Sequence, residues 1–219
     1  MHALIIGATG ATGRSLSAQL LADPACTRIT AFVRRPSGIS HPKFTEETVD
    51  FNRPDTWSDK VRGDAAFSCM GTTLKAAGSK EAQFKIDHDY QLAFARAAAE
   101  NGVPALVLVS AAGADARSRL FYPRMKGALE NAVSALPFAQ LAILRPPLLV
   151  RENSDRPSER WAVAVMNALN RIGILPAQKP MPTAVLARAM RRAAAECRGR
   201  QVLAAAEIWQ WGDSRFQAA

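Results

Sequence analysis

A glycine-rich turn near the amino terminus constrains the fold of this chain more than any other feature. Residues 3–6 form an apolar run, Ala-Leu-Ile-Ile, that is typical of a parallel strand buried on both faces. Gly7, Gly10 and Gly13 follow at intervals of three, and residues 14–22 then place leucines at helical spacing. Glycine here permits a tight turn and close approach of the backbone to a phosphate group, while the helix N-terminus offers free N–H groups to the same anion. The sequence therefore predicts a dinucleotide site at this turn.

Strand and helix patterns alternate along the first 145 residues. Helices are predicted over 80–101, with Gly102 as the C-cap, and over 122–136, between strands over 28–33, 48–50, 65–69, 105–110 and 141–144. Such alternation predicts βαβ units with right-handed crossovers. We therefore expect an α/β fold, Rossmann-like and doubly wound, with a mainly parallel sheet and helices on both faces.

The pattern loosens after Pro147. A loop is predicted over 151–158, followed by helices over 161–172 and 183–196 and a short strand over 201–206. These residues, 148–219, would form a small C-terminal lobe beside a cofactor-binding core over 1–147. With 219 residues, of which 48% are apolar, the chain can bury the core of one large domain.

Composition excludes several classes of protein. The sequence has no uninterrupted run of about 18 apolar residues, so we expect no membrane span. It begins directly with a strand pattern and no basic segment, so we expect no signal peptide. Three widely spaced cysteines and three histidines fit neither a disulfide framework nor a metal site. We therefore expect a protein of a reducing compartment, the cytoplasm, with no bound metal.

The formal net charge of +9 leaves nucleic acid as an alternative partner. No stretch is a dense basic tract, however, and the arginines over 188–192 are typical of a solvated helix face. We expect no specific nucleic-acid binding, no membrane partner, a small-molecule substrate and a monomer or homodimer.

The end of the second strand bears on the choice of cofactor. Proteins specific for NAD(H) place a carboxylate there for the ribose 2′-hydroxyl, whereas this strand ends in Arg34 and Arg35. Two guanidiniums, helped by Arg14 after the third glycine, suit a 2′-phosphate. We therefore expect NADP(H), with NAD(H) less favoured. Asp50, with Phe51 beside it, is the candidate contact for the adenine, although a plain carboxylate at a strand end fits the pattern nearly as well.

A Tyr-x-x-x-Lys pair points to proton transfer. Tyr122 and Lys126 share a face of the predicted helix, where an ammonium would lower the pKa of the phenol and allow proton exchange with a carbonyl oxygen. Ser110 ends the fifth strand, where ligands of open parallel sheets bind, and its hydroxyl could polarise that carbonyl. A serine that bonds to its own loop is the ordinary alternative.

Taken together, these motifs resemble the short-chain dehydrogenase/reductase superfamily, and most closely the atypical or extended-like branch that includes the Tat-interacting-protein oxidoreductases. The likeness covers about the first 150 residues and rests on segments 7–14, 69–73, 87–90, 109–114, 122–127 and 144–146. A departure is Ala111-Ala112, where relatives often carry a second hydroxyl. Some members of this branch resemble NADPH-binding regulators rather than metabolic enzymes.

The resemblance implies a catalytic group of Tyr122, Lys126 and Ser110, with Tyr122 as the general acid/base and Lys126 also binding the nicotinamide ribose. It implies that the chain reduces a carbonyl-type small molecule with NADPH, the alternative being an NADP(H)-binding sensor without significant turnover. Arg145-Pro146 would lead the chain over the nicotinamide. The remaining candidate cofactor contacts are Thr9, Ala11, Thr12, Cys69, Met70, Gly71 and Thr72.

Overall fold

A single parallel sheet organises residues 1–150 and 179–213, which are the residues described by this computed structural model. Seven strands form it, in the order β3-β2-β1-β4-β5-β6-β9, and β7 pairs with β8 in a separate parallel sheet of two strands. The strands are β1 His2–Ile6, β2 Arg28–Val33, β3 Phe44–Thr48, β4 Ala65–Ser68, β5 Ala105–Val109, β6 Gln140–Leu144, β7 Leu149–Val150, β8 Met181–Pro182 and β9 Gly199–Leu203.

Helices connect the strands and cover both faces of the sheet. A π-helical turn, Lys85–Asp89, separates α3 from α4, and short 3₁₀ turns occur at Pro54–Thr56 and Ser58–Lys60. The α-helices are α1 Ala11–Ala22, α2 Leu74–Ala77, α3 Lys80–Phe84, α4 Tyr90–Glu100, α5 Phe121–Ser134, α6 Thr183–Glu196 and α7 Ala205–Gly212.

Alternation along β1 divides the buried side chains between two cores. Ala3 and Ile5 face a core shared with α1 and α6, whereas Leu4 and Ile6 face one shared with α4 and α5. Since strands buried on both faces need apolar residues throughout, the apolar run at residues 3–6 follows directly from this packing. The predicted Rossmann-like α/β fold is confirmed.

Among the described helices, none combines the length and the apolar composition that crossing a bilayer requires.

The last strand that the structure describes belongs to the seven-stranded sheet. β9 pairs with β6 in parallel, and α6 packs against α1. Ser15 on α1 and Thr183 on α6 bond through their hydroxyls at 2.8 Å, and Gln19 donates to the carbonyl of Ala184 at 3.0 Å. The cofactor-side helix is thus held by an element from the far end of the chain.

Several predicted elements differ from those observed. The third strand is β3, residues 44–48, rather than 48–50: as an edge strand it is only partly buried and carries polar residues that hide its pattern. The helix over 80–101 is interrupted by the π-helical turn. The last strand ends at Leu203, and α7 begins at Ala205, where Glu207 accepts the N–H of Ala204 at 2.7 Å. The predicted loop over 151–158 and helix over 161–172 lie outside the described residues.

Candidate active site

The turn between β1 and α1 has the form required by a bound phosphate. Gly7 has a φ of +77°, and a Cβ there would lie 2.7 Å from the backbone of Cys69. A Cβ on Gly13 would lie 2.1 Å from the Gly7 carbonyl oxygen. The N-cap of α1 is Gly10, so no side chain of the described residues caps the first turn. Its N–H groups are left for an anion, as in dinucleotide-binding turns.

A cleft lies beside this turn, at the carboxyl ends of β1, β2 and β4. Open parallel sheets bind nucleotides at this position. Of the predicted cofactor residues, those lining the cleft are Gly7, Thr9, Gly10, Arg34, Phe51, Cys69, Met70, Gly71 and Thr72.

The other predicted cofactor residues lie around the cleft rather than along its lining. Ala11, Thr12, Gly13 and Arg14 form the first turn of α1, and the Arg14 Nε donates to the Thr9 carbonyl at 3.0 Å. Arg35 and Asp50 are exposed and are absent from the lining. Asp50 accepts two hydrogen bonds from Asn52, which lower the pKa of its carboxyl.

The cleft also contains residues that sequence reasoning missed: Ala8, Phe32, Val33, Ile86 and Tyr90. Phe32 and Val33 precede Arg34 at the end of β2, so their place in the sheet was a usable signal. Tyr90 comes from α4, and nothing in its spacing indicates the cleft. Its ring stacks on Phe51 at 5.4 Å, and its hydroxyl donates to Asn52 at 2.8 Å.

A stripe of polar residues lies on α5 and includes two of the predicted catalytic residues, although none of the stripe is among the residues that line the cleft. Tyr122, Lys126 and Glu130 are spaced by four and therefore lie along one face of the helix. Tyr122 is 41% exposed, whereas Lys126 and Glu130 are 2% and 3% exposed. Gly127 lets the loop after β5 approach this helix, because a Cβ there would lie 2.1 Å from the backbone of Ala116.

Glu130 binds two of the predicted site residues. Its carboxylate accepts the Ser110 hydroxyl at 2.5 Å, the Arg145 Nη2 at 2.6 Å and the Arg145 Nε at 3.0 Å. A serine has a single O–H donor. The Ser110 oxygen can therefore accept a hydrogen bond but cannot also donate one to a substrate carbonyl. Pro146, after Arg145, is buried, and its carbonyl accepts the N–H of Ala112 at 3.0 Å.

Asp87 joins the cleft to the α5 stripe. The side chain is fully buried, and its Oδ1 accepts the N–H of Thr72 at 2.8 Å. Burial lowers the pKa of Lys126, while the charges of Asp87 and Glu130 oppose that effect. The expectation that Lys126 lowers the pKa of Tyr122 is reversed: desolvation and the Asp87 charge raise it to about 12. Near neutral pH Tyr122 is a protonated phenol, which can donate a proton.

The three cysteines, Cys26, Cys69 and Cys197, are free thiols. Burial raises the pKa of Cys69 to about 12, so its thiol in the cleft is protonated near neutral pH. Within residues 1–150 and 179–213, no group of three or more His, Cys, Asp or Glu is arranged to hold a metal ion.

Comparison with known proteins identifies relatives of this chain. A family model described as NAD(P)H-binding matches residues 7–159. The mitochondrial protein fmp52 of Emericella nidulans is 37% identical over 176 residues, covering 77% of this chain and 76% of the relative. FMP52 of Saccharomyces cerevisiae is 36% identical over 164 residues, covering 72% and 70%. The predicted cytoplasmic location is wrong by this comparison, because these relatives are named mitochondrial. The prediction was based on cysteine usage, and free thiols indicate a reducing environment but do not identify the compartment.

Solved structures share the fold at low sequence identity. The oxidoreductase ylbE of Lactococcus lactis has a TM-score of 0.70 at 15% identity, covering 99% of this chain and 97% of that one. A short-chain dehydrogenase/reductase superfamily protein of Agrobacterium tumefaciens, with bound NAD, also has a TM-score of 0.70 at 15% identity, covering 93% and 76%. The chain therefore belongs to the NAD(P)H-binding family that includes the FMP52 proteins, and it has the Rossmann-like fold of short-chain dehydrogenases/reductases.

Proposed function

We propose that this protein is an NADP(H)-dependent oxidoreductase that reduces a carbonyl-type small molecule. The observation that carries the proposal is the cleft beside the glycine turn, which Arg34 lines and in which the backbone N–H of Thr72 is held by the buried Asp87 at 2.8 Å. Asp87 lies on the π-helical turn that packs against α5, and α5 carries Tyr122 and Lys126, so this turn links the helix to a cleft in the position where open parallel sheets bind dinucleotides. The family match supports nicotinamide-dinucleotide binding, while the reaction and the preference for NADP(H) are our proposal.

Several groups would hold the cofactor. The N–H groups at the start of α1 would bind the pyrophosphate, because no side chain of the described residues caps them. Arg34 lines the cleft at the end of β2 and pairs with no carboxylate in the described part of the chain, so it would bind a 2′-phosphate. When bound, the reduced cofactor supplies a hydride to the substrate.

Tyr122 would complete the reduction by giving its phenolic proton to the carbonyl oxygen. Carbon accepts a hydride and oxygen a proton, so the product is an alcohol. Lys126, buried beside this phenol on the same helix face, would orient the site through its charge. Ser110 would not polarise the carbonyl, because its hydroxyl proton is donated to Glu130. The proposed catalytic pair is therefore Tyr122 and Lys126.

A second function has an observation of its own. The bond from Ser110 to Glu130 removes one of the three groups implied by the family resemblance. A protein that binds NADP(H) as a sensor needs no free hydroxyl there, and the nearer likeness to the Tat-interacting-protein oxidoreductases fits such a role. In this alternative function, Tyr122 and Lys126 act as cofactor contacts only.

Loss of NADPH absorbance at about 340 nm, followed across aldehydes, ketones and quinones, separates the two functions. An oxidoreductase gives turnover with at least one carbonyl class. A sensor binds NADPH by calorimetry and gives no turnover with any of them, which would contradict the proposal.

The preference for NADPH over NADH depends on Arg34. Replacing Arg34 with Ala is expected to narrow the ratio of the two dissociation constants by about tenfold to a hundredfold, since a hydrogen bond to a charged group contributes about 1.5–3 kcal/mol. Calorimetry with both cofactors measures it. Arg200→Ala is the matched control, because Arg200 is exposed on β9, several strands away from β2. Equal affinities of the wild type for NADPH and NADH would contradict the NADP(H) assignment.

A further inference from the structure

The carboxylate of Glu130 connects three elements of the fold: α5, which carries it, and the carboxyl ends of two neighbouring strands. Ser110 directly follows β5, and Arg145 directly follows β6. These strands pair in parallel with Val109 opposite Leu144, and the Ser110 N–H donates to the Leu144 carbonyl at 2.8 Å. Ser110 and Arg145 therefore lie side by side at the carboxyl edge of the sheet.

The rows of side chains that lead to Ser110 and Arg145 are apolar. Side chains alternate along a strand, and two residues earlier Leu108 and Ile143 are buried in the core shared with α4 and α5. On α5 itself, Leu129 and Val133 are buried in the same core. Burial of apolar surface is non-directional, so it holds α5 on the sheet but specifies the rotation and the axial position of the helix only weakly.

The bonds of Glu130 supply the direction that apolar burial lacks. Its carboxylate accepts the Ser110 hydroxyl and two nitrogens of Arg145, and the side chains of Glu130 and Arg145 are 4% and 35% exposed. Removing a carboxylate from water costs about as much as an ion pair returns, so such a pair is weak evidence for added stability. Its best-attested role is to select one register of the elements that it joins.

We propose that Ser110, Glu130 and Arg145 form a registry network, which fixes α5 on the carboxyl ends of β5 and β6. Through this network, Glu130 is the positioning residue for Tyr122 and Lys126. Lys126 precedes Glu130 by about one helical turn and Tyr122 by about two, so a rotation or an axial shift of α5 displaces both. The effect on turnover rests on the proposed function, whereas the registry network does not.

The triple variant Ser110→Ala/Glu130→Leu/Arg145→Leu separates register from stability. Replacing a whole buried ion network with apolar residues is often neutral or stabilising, so the variant should unfold near the wild-type temperature. We expect kcat for NADPH oxidation to fall by about tenfold to a hundredfold, because a small displacement of a reacting group can cost that much. The NADPH dissociation constant should change much less, since the glycine turn and Arg34 belong to other elements.

Fluorine NMR of protein labelled with 3-fluorotyrosine reports the position of α5 without any turnover. The sequence contains two tyrosines, Tyr90 and Tyr122, so the Tyr90→Phe variant assigns the Tyr122 resonance. We expect one sharp Tyr122 resonance in the wild type and a broadened or split one in the triple variant, because α5 then occupies more than one position. Val133→Ala is the control: it removes buried apolar contacts from α5 but leaves the network intact. It should lower the unfolding temperature and retain both the single resonance and the wild-type kcat.

An unchanged Tyr122 resonance in the triple variant would overturn the registry network, and a wild-type kcat would overturn the positioning role of Glu130. If the triple variant does not fold, Glu130→Gln decides, because it keeps the length of the side chain but turns a donor toward Arg145. A single sharp Tyr122 resonance in Glu130→Gln would overturn the proposal equally. A resonance that broadens in a protein without turnover on any carbonyl would support the network and refute the proposed function.

Discussion

Replacing Tyr122 with Phe is expected to reduce carbonyl turnover by about a hundredfold to ten-thousandfold, which is the contribution of a well-placed acid–base group. The aromatic ring at the start of α5 is retained and only its hydroxyl is removed, so the affinity for NADPH should be nearly unchanged. Because Ser110 donates to Glu130, no second hydroxyl of the predicted group replaces the lost proton donor. The measurement is kcat for NADPH oxidation with the best carbonyl substrate, together with the NADPH dissociation constant by calorimetry.

Two further variants make this result specific. Lys126→Ala should weaken both turnover and cofactor affinity, since it removes the buried charge that is proposed to orient Tyr122 and to contact the cofactor. Asn131→Ala changes an exposed residue of the same helix and should retain wild-type turnover. Equal kcat values for the wild type and Tyr122→Phe would show that the phenol transfers no proton and that Tyr122 is not the general acid.

Gly13→Ala is expected to destabilise the protein by several kcal/mol and to abolish NADPH binding. The new Cβ would lie 2.1 Å from the Gly7 carbonyl oxygen and 2.7 Å from the Ala8 Cα. Both contacts are with backbone, so α1 would have to move away from β1, and overpacking of this kind typically costs about 1–3 kcal/mol or more. That movement displaces the N–H groups that would hold the pyrophosphate. Thermal unfolding measures the loss of stability, and calorimetry the loss of binding.

Gly71→Ala is the matched comparison for stability. Gly71 also lines the cleft, but a Cβ there meets nothing within 4 Å among the described residues. We expect its unfolding temperature to stay close to that of the wild type. If Gly13→Ala unfolds at the wild-type temperature, the contact between α1 and the glycine turn is not as close as described.

A strand can be predicted from the sequence when the pattern that identifies it lies within its own residues. The strands that are buried on both faces, such as β1 and β5, have continuous apolar runs and were predicted nearly to the residue. Strand β3 lies at the edge of the sheet, where one side contacts solvent, and its Thr-Glu-Glu-Thr sequence has no apolar period. Such a strand is stabilised by its pairing with the neighbouring strand rather than by its composition, so its own sequence does not identify it.

The residues of the candidate site likewise differ in whether a local sequence pattern identifies them. The glycine turn and the pairing of Tyr122 with Lys126 are contiguous or spaced by four, so both could be identified. Glu130 continues the same spacing and could have been included with them. Asp87 could not, because its position depends on the π-helical turn, which shifts the face of the helix. The direction of the Tyr122 pKa shift is not predictable from the local sequence either, because it is raised first by burial of the phenol and then by the charge of Asp87, which comes from another element.

The packing of α6 on α1 has a consequence for the order of folding. Leu16 and Leu20 of α1 are buried together with Leu186 and Met190 of α6, which are about 170 residues later in the chain. During synthesis the glycine turn and α1 leave the ribosome long before α6 exists, so one apolar face of α1 stays uncovered until the last elements arrive. Contacts of such sequence separation form slowly and prolong the exposure of apolar surface. The glycine turn, which leads into α1, is therefore expected to reach its final packing only after α6 has docked.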